Sequence, residues 1–270
     1  MRPFLRWAGS KRQLLSSIRP YWKDGCSRYI EPFAGSSCLF FELQPSNAIL
    51  GDLNWELIAT YRAIKHDPDL VLECLRRLAR GKRAYYLIRA IDPRPLADAE
   101  LAARFIYLNH YCFNGLFRTN RSGNFNVPYG RQKKPVPFDE NLILDASRAL
   151  KSVTLLAADF EETIARAQPG EFVYIDPPYA VSSRREFSEY LPESFSDRDL
   201  GRLRTSLEWL DTKGIGFVAT YADSREARSL LAPWKPRRIW TRRNIAGFAA
   251  HRRGAYEILA TNLSHPGEKK

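Results

Sequence analysis

The segment from residue 29 to residue 54 constrains the fold of this chain more than any other feature. A short strand at Tyr29 and Ile30 leads into a turn of small residues at 34–37, and an apolar helix follows. A second strand then ends in the acidic residue Asp52, about twenty residues after the turn. Nucleotide-binding α/β folds begin with this order of elements. The sequence therefore predicts an α/β fold built on a parallel sheet.

Further strands of the same sheet are predicted where apolar residues return, at 153–156, 171–176, 216–220 and 256–261. The periodicity between about 58 and 108 is helical instead, and a polar, turn-rich stretch follows at 114–137. We therefore expect a core formed by residues 1–57 and 141–270, interrupted by a mainly helical insertion at 58–140.

The charge indicates an anionic partner. The chain has 42 Lys and Arg against 30 Asp and Glu, a formal charge of +12, which suits nucleic acid, a membrane surface or an acidic ligand. Two stretches contain no acidic residue, one between Leu101 and Phe138 and one between Glu226 and Glu257. Aromatic residues and Asn alternate there with basic residues, which suits contact with phosphates and bases, although a solvated basic face is the alternative. The first stretch contains Arg104, Arg118, Arg121, Arg131, Lys133 and Lys134.

Other features exclude several classes of protein. No apolar run approaches the ~20 residues of a membrane-spanning helix, and no apolar stretch follows the basic N-terminal residues, so a secretory signal is not expected. The cysteines and histidines are scattered, which argues against disulfides and a metal site and favours a reducing cytoplasm.

The sequence Asp176-Pro177-Pro178-Tyr179 follows the apolar run 172–175. Consecutive prolines cannot continue a central strand, so we expect this segment at the carboxyl end of the sheet, where open α/β folds bind ligands. The Asp176 carboxylate and a proline carbonyl could accept both hydrogens of an exocyclic amine, while the Tyr179 ring stacks on its base. A proline-terminated strand with an incidental Asp and Tyr is the alternative.

This motif resembles the catalytic motif of amino-group DNA methyltransferases, which use S-adenosyl-L-methionine. Other motifs narrow the resemblance to the Dam-type DNA adenine N6-methyltransferases and occur in that family's order. They lie at 4–11, 29–35, 51–54, 113–118 with 123–131, and 176–179. The resemblance implies a Rossmann-like methyltransferase core whose helical insertion carries a DNA-reading β-hairpin.

The resemblance also implies which residues bind S-adenosyl-L-methionine: Trp7, Lys11, Phe33, Gly35, Asp52, Asp159, Phe160 and Asp176. Gly35 would allow close approach of the backbone, and Asp52 could accept the ribose hydroxyls. We consider two roles for Glu31: it helps to hold the glycine turn, or it is a helix cap or a surface charge. Ser10 and Ser37 stand where the family usually has Gly, which bears on cofactor affinity.

In such enzymes the target adenine is flipped out of the duplex. Asp176 and Pro177 would then hold N6, with Pro178 and Tyr179 completing the catalytic motif. No covalent intermediate and no metal are expected. A loop containing Phe187, Tyr190 and Phe195 resembles the family's mobile loop beside the flipped base, and Ser196 with Asp199 predicts a capped helix start.

The hairpin is the predicted reader of sequence, with GATC as the implied target. Arg118 could bind guanine O6 and N7, and Arg6 matches the position that reads the first guanine. Leu116 and Pro128 would make apolar contacts with the DNA, and Phe113 and Asn114 would lie beside the opened base step. Arg131, Lys133 and Lys134 would contact phosphates.

The predicted function is therefore site-specific adenine methylation of double-stranded DNA. Two alternatives remain. One is the same chemistry at another recognition sequence, with a cognate restriction endonuclease as an optional partner, and the other is a catalytically silent DNA-binding protein. We expect a bacterial or phage-encoded cytoplasmic protein that associates with the nucleoid through DNA, with no membrane partner and no required oligomer.

Overall fold

The computed structural model describes residues 1–23, 25–120, 122–130, 138–178, 195–242 and 254–264. Its centre is a seven-stranded sheet in the order β3-β2-β1-β4-β5-β7-β6. The strands are β1 (Tyr29–Glu31), β2 (Ala48–Asp52), β3 (Val153–Ala157), β4 (Phe172–Ile175), β5 (Gly216–Ala222), β6 (Arg237–Arg242) and β7 (Gly254–Thr261).

The strand order creates a crevice between β1 and β4. Strands β1 to β5 are parallel, and β7 lies antiparallel between β5 and β6. The chain leaves β1 towards β2 on one side, and it leaves β4 towards β5 on the other. Connections that diverge in this way open a space above the carboxyl ends of the two strands, which is where open α/β sheets bind ligands.

Successive residues of the strands enter two different cores. Tyr29 and Phe172 point to the face covered by the N-terminal segment and the insertion, whereas Ile30 and Val173 point to the opposite face. The short central strands are buried on both sides, as expected of parallel strands between helical layers. The sheet therefore supports rigid carboxyl ends for the residues that follow β1, β2 and β4.

The helices form these two layers. Among the described residues they are α1 (Leu15–Ile18), α2 (Cys38–Leu43), α3 (Trp55–His66), α4 (Pro68–Arg77), α5 (Lys82–Ala90), α6 (Asp98–Tyr111), α7 (Glu140–Leu150), α8 (Phe160–Ile164), α9 (Asp197–Thr212) and α10 (Arg225–Leu231). Helices α8 to α10 cover one face, and α2 to α7 contribute to the other. None of the helices within the described ranges has the length and apolar character needed to cross a membrane.

A buried ion pair joins α3 to α6 and corrects one expectation from the sequence. The pattern of basic residues suggests that Arg104 faces DNA, but its side chain is only 4% exposed and bonds Glu56 of α3 at 3.0 Å. Its guanidinium also donates to the backbone carbonyls of Ile88 and Arg89. Arg104 therefore joins α3, α5 and α6 and does not face solvent.

The polar stretch of the insertion forms the expected hairpin. Thr119 and Phe125 pair as an antiparallel bridge, and the backbone N–H of Asn126 donates to the carbonyl of Arg118 at 3.0 Å. The Asn120 side chain accepts from the backbone N–H groups of Ser122 and Asn124, both at 3.0 Å, so the tip is closed by an Asn side chain.

The α/β class and the strands predicted from the sequence are confirmed. The edge strand β6 was not predicted, because four arginines in its neighbourhood hid its apolar residues. The proposed division at 57/58 and 140/141 places one boundary inside α3 and the other at the first turn of α7. That division stays a prediction.

Candidate active site

A cavity of about 700 Å³ lies above the carboxyl ends of β1, β2 and β4. Its walls come from the N-terminal segment 7–11, the turn 33–37, Asp52, the start of α8 and the Asp176-Pro177-Pro178 segment. This volume is within the usual range for small-molecule sites. Four of the motifs singled out in the sequence, those at 4–11, 29–35, 51–54 and 176–179, thus contribute residues to one space, although they are far apart along the chain.

The Asp176 carboxylate is held at the end of β4 by contacts to one of its oxygens. Oδ1 lies 2.7 Å from the ammonium of Lys11 and accepts a hydrogen bond from Thr220 at 3.1 Å. Lys11 is 6% exposed and also donates to the Gly9 carbonyl at 3.0 Å. Burial raises the pKa of Asp176, and the charge and hydrogen bond of Lys11 oppose that rise. The ion pair therefore favours a carboxylate at neutral pH.

The small-residue turn is shaped by Gly35 and Asp52. Gly35 has a φ of +46°, and a Cβ there would meet the Trp7 indole at 2.7 Å, so this position needs glycine for two reasons. The backbone N–H groups of Gly35 and Asn54 donate to the Asp52 carboxylate, each at 2.9 Å. Burial raises the pKa of Asp52, against the effect of these two donors. Tyr61 donates to the Gly35 carbonyl at 2.7 Å and supports the turn from α3.

Glu31 is a second acid in the cavity wall and is only 3% exposed. Its carboxyl accepts a hydrogen bond from Tyr29 at 3.0 Å. Burial raises the pKa of Glu31 well above its ordinary value, and nearby Asp176 and Asp52 add to this rise. Glu31 is therefore a buried wall residue and not a surface charge.

Aromatic rings form the wall on the α8 side. Phe33 and Phe160 stack at a centroid distance of 5.2 Å and an interplanar angle of 25°, and Phe195 packs edge-on against Phe33. Arg202 lies over the Phe160 ring at 4.7 Å and pairs with Asp159 at 2.6 Å. This wall offers an apolar face to a planar ring. Arg202 fixes the start of α8, which forms part of the wall.

The hairpin and the N-terminal segment meet beside this cavity. Trp7 stacks on Phe117 with rings 6.1 Å apart and 15° from parallel. The backbone N–H of Arg6 donates to Asn109 at 2.9 Å, and the Asn109 amide returns a bond to the Arg6 carbonyl at 2.7 Å. Arg118 is half-buried and its Nε donates to Asn126 at 2.7 Å. The cavity wall and the hairpin therefore share one packed contact.

Four other predicted DNA contacts, at Phe113, Asn114, Leu116 and Pro128, lie near that hairpin. Phe113 is 40% exposed, and Asn114 has a φ of +55°, a left-handed conformation that asparagine tolerates. Pro128 is exposed and Leu116 half-buried. The predicted residues Tyr179, Arg131, Lys133, Lys134, Phe187 and Tyr190 lie outside the described residues.

Several residues of the site carried no signal in the sequence. Thr220 and Tyr174 belong to ordinary apolar strands, yet Tyr174 lies 3.2 Å from the Thr220 hydroxyl that bonds Asp176. Arg202 sits within α9, whose start at Asp197, capped by Ser196 with Asp199, was predicted correctly. Asp199 is a partner of Arg202 within α9, but its other acidic partners, Asp159 and Glu161, lie at the start of α8 and are distant in the sequence.

Among the described residues, no three His, Cys, Asp or Glu side chains are grouped so that they could hold a metal ion. The arrangement is a ligand cavity at a switch point of the sheet, bordered by two prolines and by Asp176 paired with Lys11. An α/β fold with this sheet order and this site defines the class of amino-group methyltransferases.

Comparison with known proteins narrows the class. The family model of the D12 class N6 adenine-specific DNA methyltransferases matches residues 7–245. The chain therefore belongs to this family, and it is a DNA adenine N6-methyltransferase.

Relatives align over nearly the whole chain. The Type II methyltransferase M1.LlaDCHI of Lactococcus lactis subsp. cremoris is 38% identical, over 98% of this chain and 96% of the relative. The Type II methyltransferase M.MjaIII of Methanocaldococcus jannaschii is 37% identical, over 97% and 99%. The DNA adenine methylase of Escherichia coli K12 is 32% identical, over 98% and 96%.

Proposed function

We propose that this enzyme transfers a methyl group from S-adenosyl-L-methionine to N6 of an adenine that has been flipped out of duplex DNA, within the sequence GATC. The observation that carries the proposal is the fixed Asp176 carboxylate beside two prolines at the mouth of the cavity. The methyl donor, the flipping and the target sequence all belong to the proposal.

The residues of the cavity fit S-adenosyl-L-methionine. Asp52 offers carboxylate oxygens at the end of β2, where nucleotide-binding folds accept ribose hydroxyls. Phe33 and Phe160 provide an apolar wall for the adenine ring, with Asp159 at its edge. Trp7, Lys11 and Gly35 shape the opposite side. When bound, the cofactor supplies an electrophilic methyl group on a sulfonium centre.

The residues of the chain act by holding the target amine. Asp176 accepts one N6 hydrogen and the Pro177 carbonyl accepts the other, which directs the nitrogen lone pair towards the methyl donor. Pro178 fixes the conformation of the segment, and Tyr179 stacks on the base. Because N6 is buried inside a base pair, the adenine must leave the duplex to reach this site.

Sequence readout is assigned to the hairpin and the N-terminal segment. Nε of Arg118 is occupied by Asn126, which presents the terminal amino groups to guanine O6 and N7. Arg6 is held beside the insertion by Asn109 and reads the first guanine. The roles of Phe113, Asn114, Leu116 and Pro128 at the target bases, and of Arg131, Lys133 and Lys134 at phosphates, are part of the proposal, as is the recognition unit at 58–140.

A second setting for the same chemistry is restriction–modification, with a cognate endonuclease. The names of relatives support it, because two of them are Type II methyltransferases at 38% and 37% identity, while others are named DNA adenine methylase. In both settings the enzyme would work on DNA in the cytoplasm. Loss of methylation would be tolerated only where no partner nuclease is present.

Substitution of Asp176 tests the catalytic assignment. With labelled methyl donor and a duplex containing GATC, Asp176→Asn should lower kcat by about 100-fold or more, because an amide cannot replace the carboxylate acceptor that Lys11 holds. Asp145→Asn, which removes a carboxylate from a surface pair with Arg148, is the matched control and should behave as wild type. Wild-type turnover by a folded Asp176→Asn enzyme would refute the assignment.

A further inference from the structure

Strand β5 places two hydroxyl side chains against the segment that follows β4. Thr220 donates to Asp176 Oδ1 at 3.1 Å, and Tyr221 donates to the carbonyl oxygen of Pro178 at 3.3 Å. Both side chains are buried, with exposures of 0% and 3%. The ladder between β4 and β5 ends at Ile175, so these two bonds continue the connection between the strands where the prolines cannot.

The direction of the hydrogen bond between Tyr174 and Thr220 follows from the bond that Thr220 donates to Asp176. Tyr174 lies 3.2 Å from the Thr220 hydroxyl, and complete burial raises the pKa of Tyr174 well above its ordinary value, so its phenol stays protonated. A hydroxyl has only one proton to donate. If Thr220 gives its proton to Asp176, it accepts the proton of Tyr174, and the chain of donors runs from Tyr174 through Thr220 to the carboxylate. Such a chain stabilises the ionised acid.

The same contacts select which acceptors face the cavity. Lys11 and Thr220 both approach Oδ1 of Asp176. Tyr221 donates to the Pro178 carbonyl. In the proposed function, the second carboxylate oxygen and the carbonyl of Pro177 accept the two hydrogens of the amine.

We propose that Thr220 and Tyr221 are positioning residues for the methyl-accepting amine. Thr220 fixes the rotation of the Asp176 carboxylate and keeps it ionised, and Tyr221 fixes the Pro178 carbonyl so that the neighbouring Pro177 carbonyl faces the amine. This inference deepens the proposed role of Asp176 and rests on it. Neither residue touches the reacting atoms.

The hydroxyl of Thr220 can be removed with little change in shape. Thr220→Val should lower kcat by about 10- to 100-fold, as misplacement of a catalytic group does, with KM for duplex DNA changed less than about two-fold. Its kcat should also begin to fall at a higher pH on the acidic side than that of wild type, because the carboxylate loses a donor. Thr220→Ser keeps the hydroxyl and should restore both kcat and the acidic limb.

The outcomes separate this inference from the proposed function. If Asp176→Asn abolishes turnover but Thr220→Val matches wild type in kcat and pH profile, the positioning role is wrong while the role of Asp176 stands. If Thr220→Ser is as defective as Thr220→Val, the side chain acts through packing and the inference also fails. If active Asp176→Asn enzyme is obtained, the proposed function fails first.

Tyr221→Phe provides a second variant in case Thr220→Val does not fold, which thermal unfolding would show. It should lower kcat by about 10-fold while the acidic limb stays in place, because Tyr221 bonds a carbonyl and not the carboxylate. An unchanged kcat would contradict the role of Tyr221, and a shifted acidic limb would contradict the separation of the two roles.

Discussion

Two carboxyls of the cavity wall, Asp176 and Glu31, differ in the partners that the fold provides. Asp176 has the ammonium of Lys11 at 2.7 Å, whereas Glu31 accepts a hydrogen bond from the neutral phenol of Tyr29. A buried acid without a cation tends to hold its proton, since charge is costly in a low-dielectric interior. In the proposed function the two acids therefore have different tasks, because Asp176 is kept as an acceptor for the amine whereas Glu31 closes the wall beneath the glycine turn.

Glu31 should make the stability of the enzyme depend on pH. Because its folded pKa lies well above the unfolded value, the folded state holds more protons between these two pKa values. The free energy of unfolding contributed by this group is therefore highest at low pH and falls as pH rises from about 4.3, the ordinary value for Glu, towards the folded pKa.

Denaturant unfolding between pH 5 and pH 8 measures this effect. Glu31→Gln should reduce the loss of stability with rising pH, and the remaining slope should come from groups such as Asp52. Glu42→Gln, at a half-exposed carboxyl 3.8 Å from Arg19, is the control and should keep the wild-type slope. A Glu31→Gln protein with that same slope would show that Glu31 is ionised in the folded state.

Sequence reasoning found residues whose chemistry is local and missed those defined by a distant partner. Asp176, Lys11 and Asp52 stand in motifs, and the fold brings all three to one cavity. Thr220 looks like any strand residue, because its bond to Asp176 joins positions 44 residues apart. Arg104 was misread for the same reason, since counting charges along the chain could not reveal Glu56 on another helix.

At the level of elements, turn chemistry was more informative than composition. The two prolines predicted the end of β4, and the Asn- and Gly-rich stretch predicted the hairpin, because both restrict the backbone locally. β6 was missed because a strand at the edge of a sheet can carry several arginines on its exposed positions. Local sequence patterns do not indicate that it pairs with β7.

The hairpin should determine sequence preference through Arg118. Arg118→Gln removes the proposed bidentate guanine contact and should reduce discrimination at one base pair by ~1–3 kcal/mol, with less effect on non-specific affinity. The measurement is kcat/KM on GATC duplexes against duplexes with one substituted base pair. Arg166→Gln makes the same change in charge at an exposed residue beside Arg28, at the other end of the sheet, and is the control. Equal discrimination by Arg118→Gln and Arg166→Gln enzymes would rule out the assignment.

On the scale of the whole molecule, the surplus of +12 is divided between structure and surface. Arg104 stabilises the insertion, Arg202 organises the start of α8, and Arg228 with Arg238 flank Asp223. These arginines have acidic partners within the protein. The net charge therefore does not show which basic residues are available to bind DNA. The basic residues near the hairpin remain the better candidates for phosphate contact.

One aromatic contact connects the proposed cofactor site with the hairpin. Trp7 forms part of the cavity wall and stacks on Phe117, which packs against Phe125 of the hairpin. The proposed cofactor site and the proposed sequence reader are thus parts of one packed body. Recognition of the target and positioning of the amine then occur at a fixed separation, as transfer to one adenine of a defined sequence requires.

Mapping N6-methyladenine across the genome of a host without adenine methylation, after expression of this enzyme, tests the central claim most directly. We expect methylated adenines at GATC in both strands, and none in cells expressing Asp176→Asn. Methylated adenines confined to a different sequence would contradict the proposed target. An absence of N6-methyladenine with the folded wild-type enzyme, or its presence with Asp176→Asn, would contradict the proposed site.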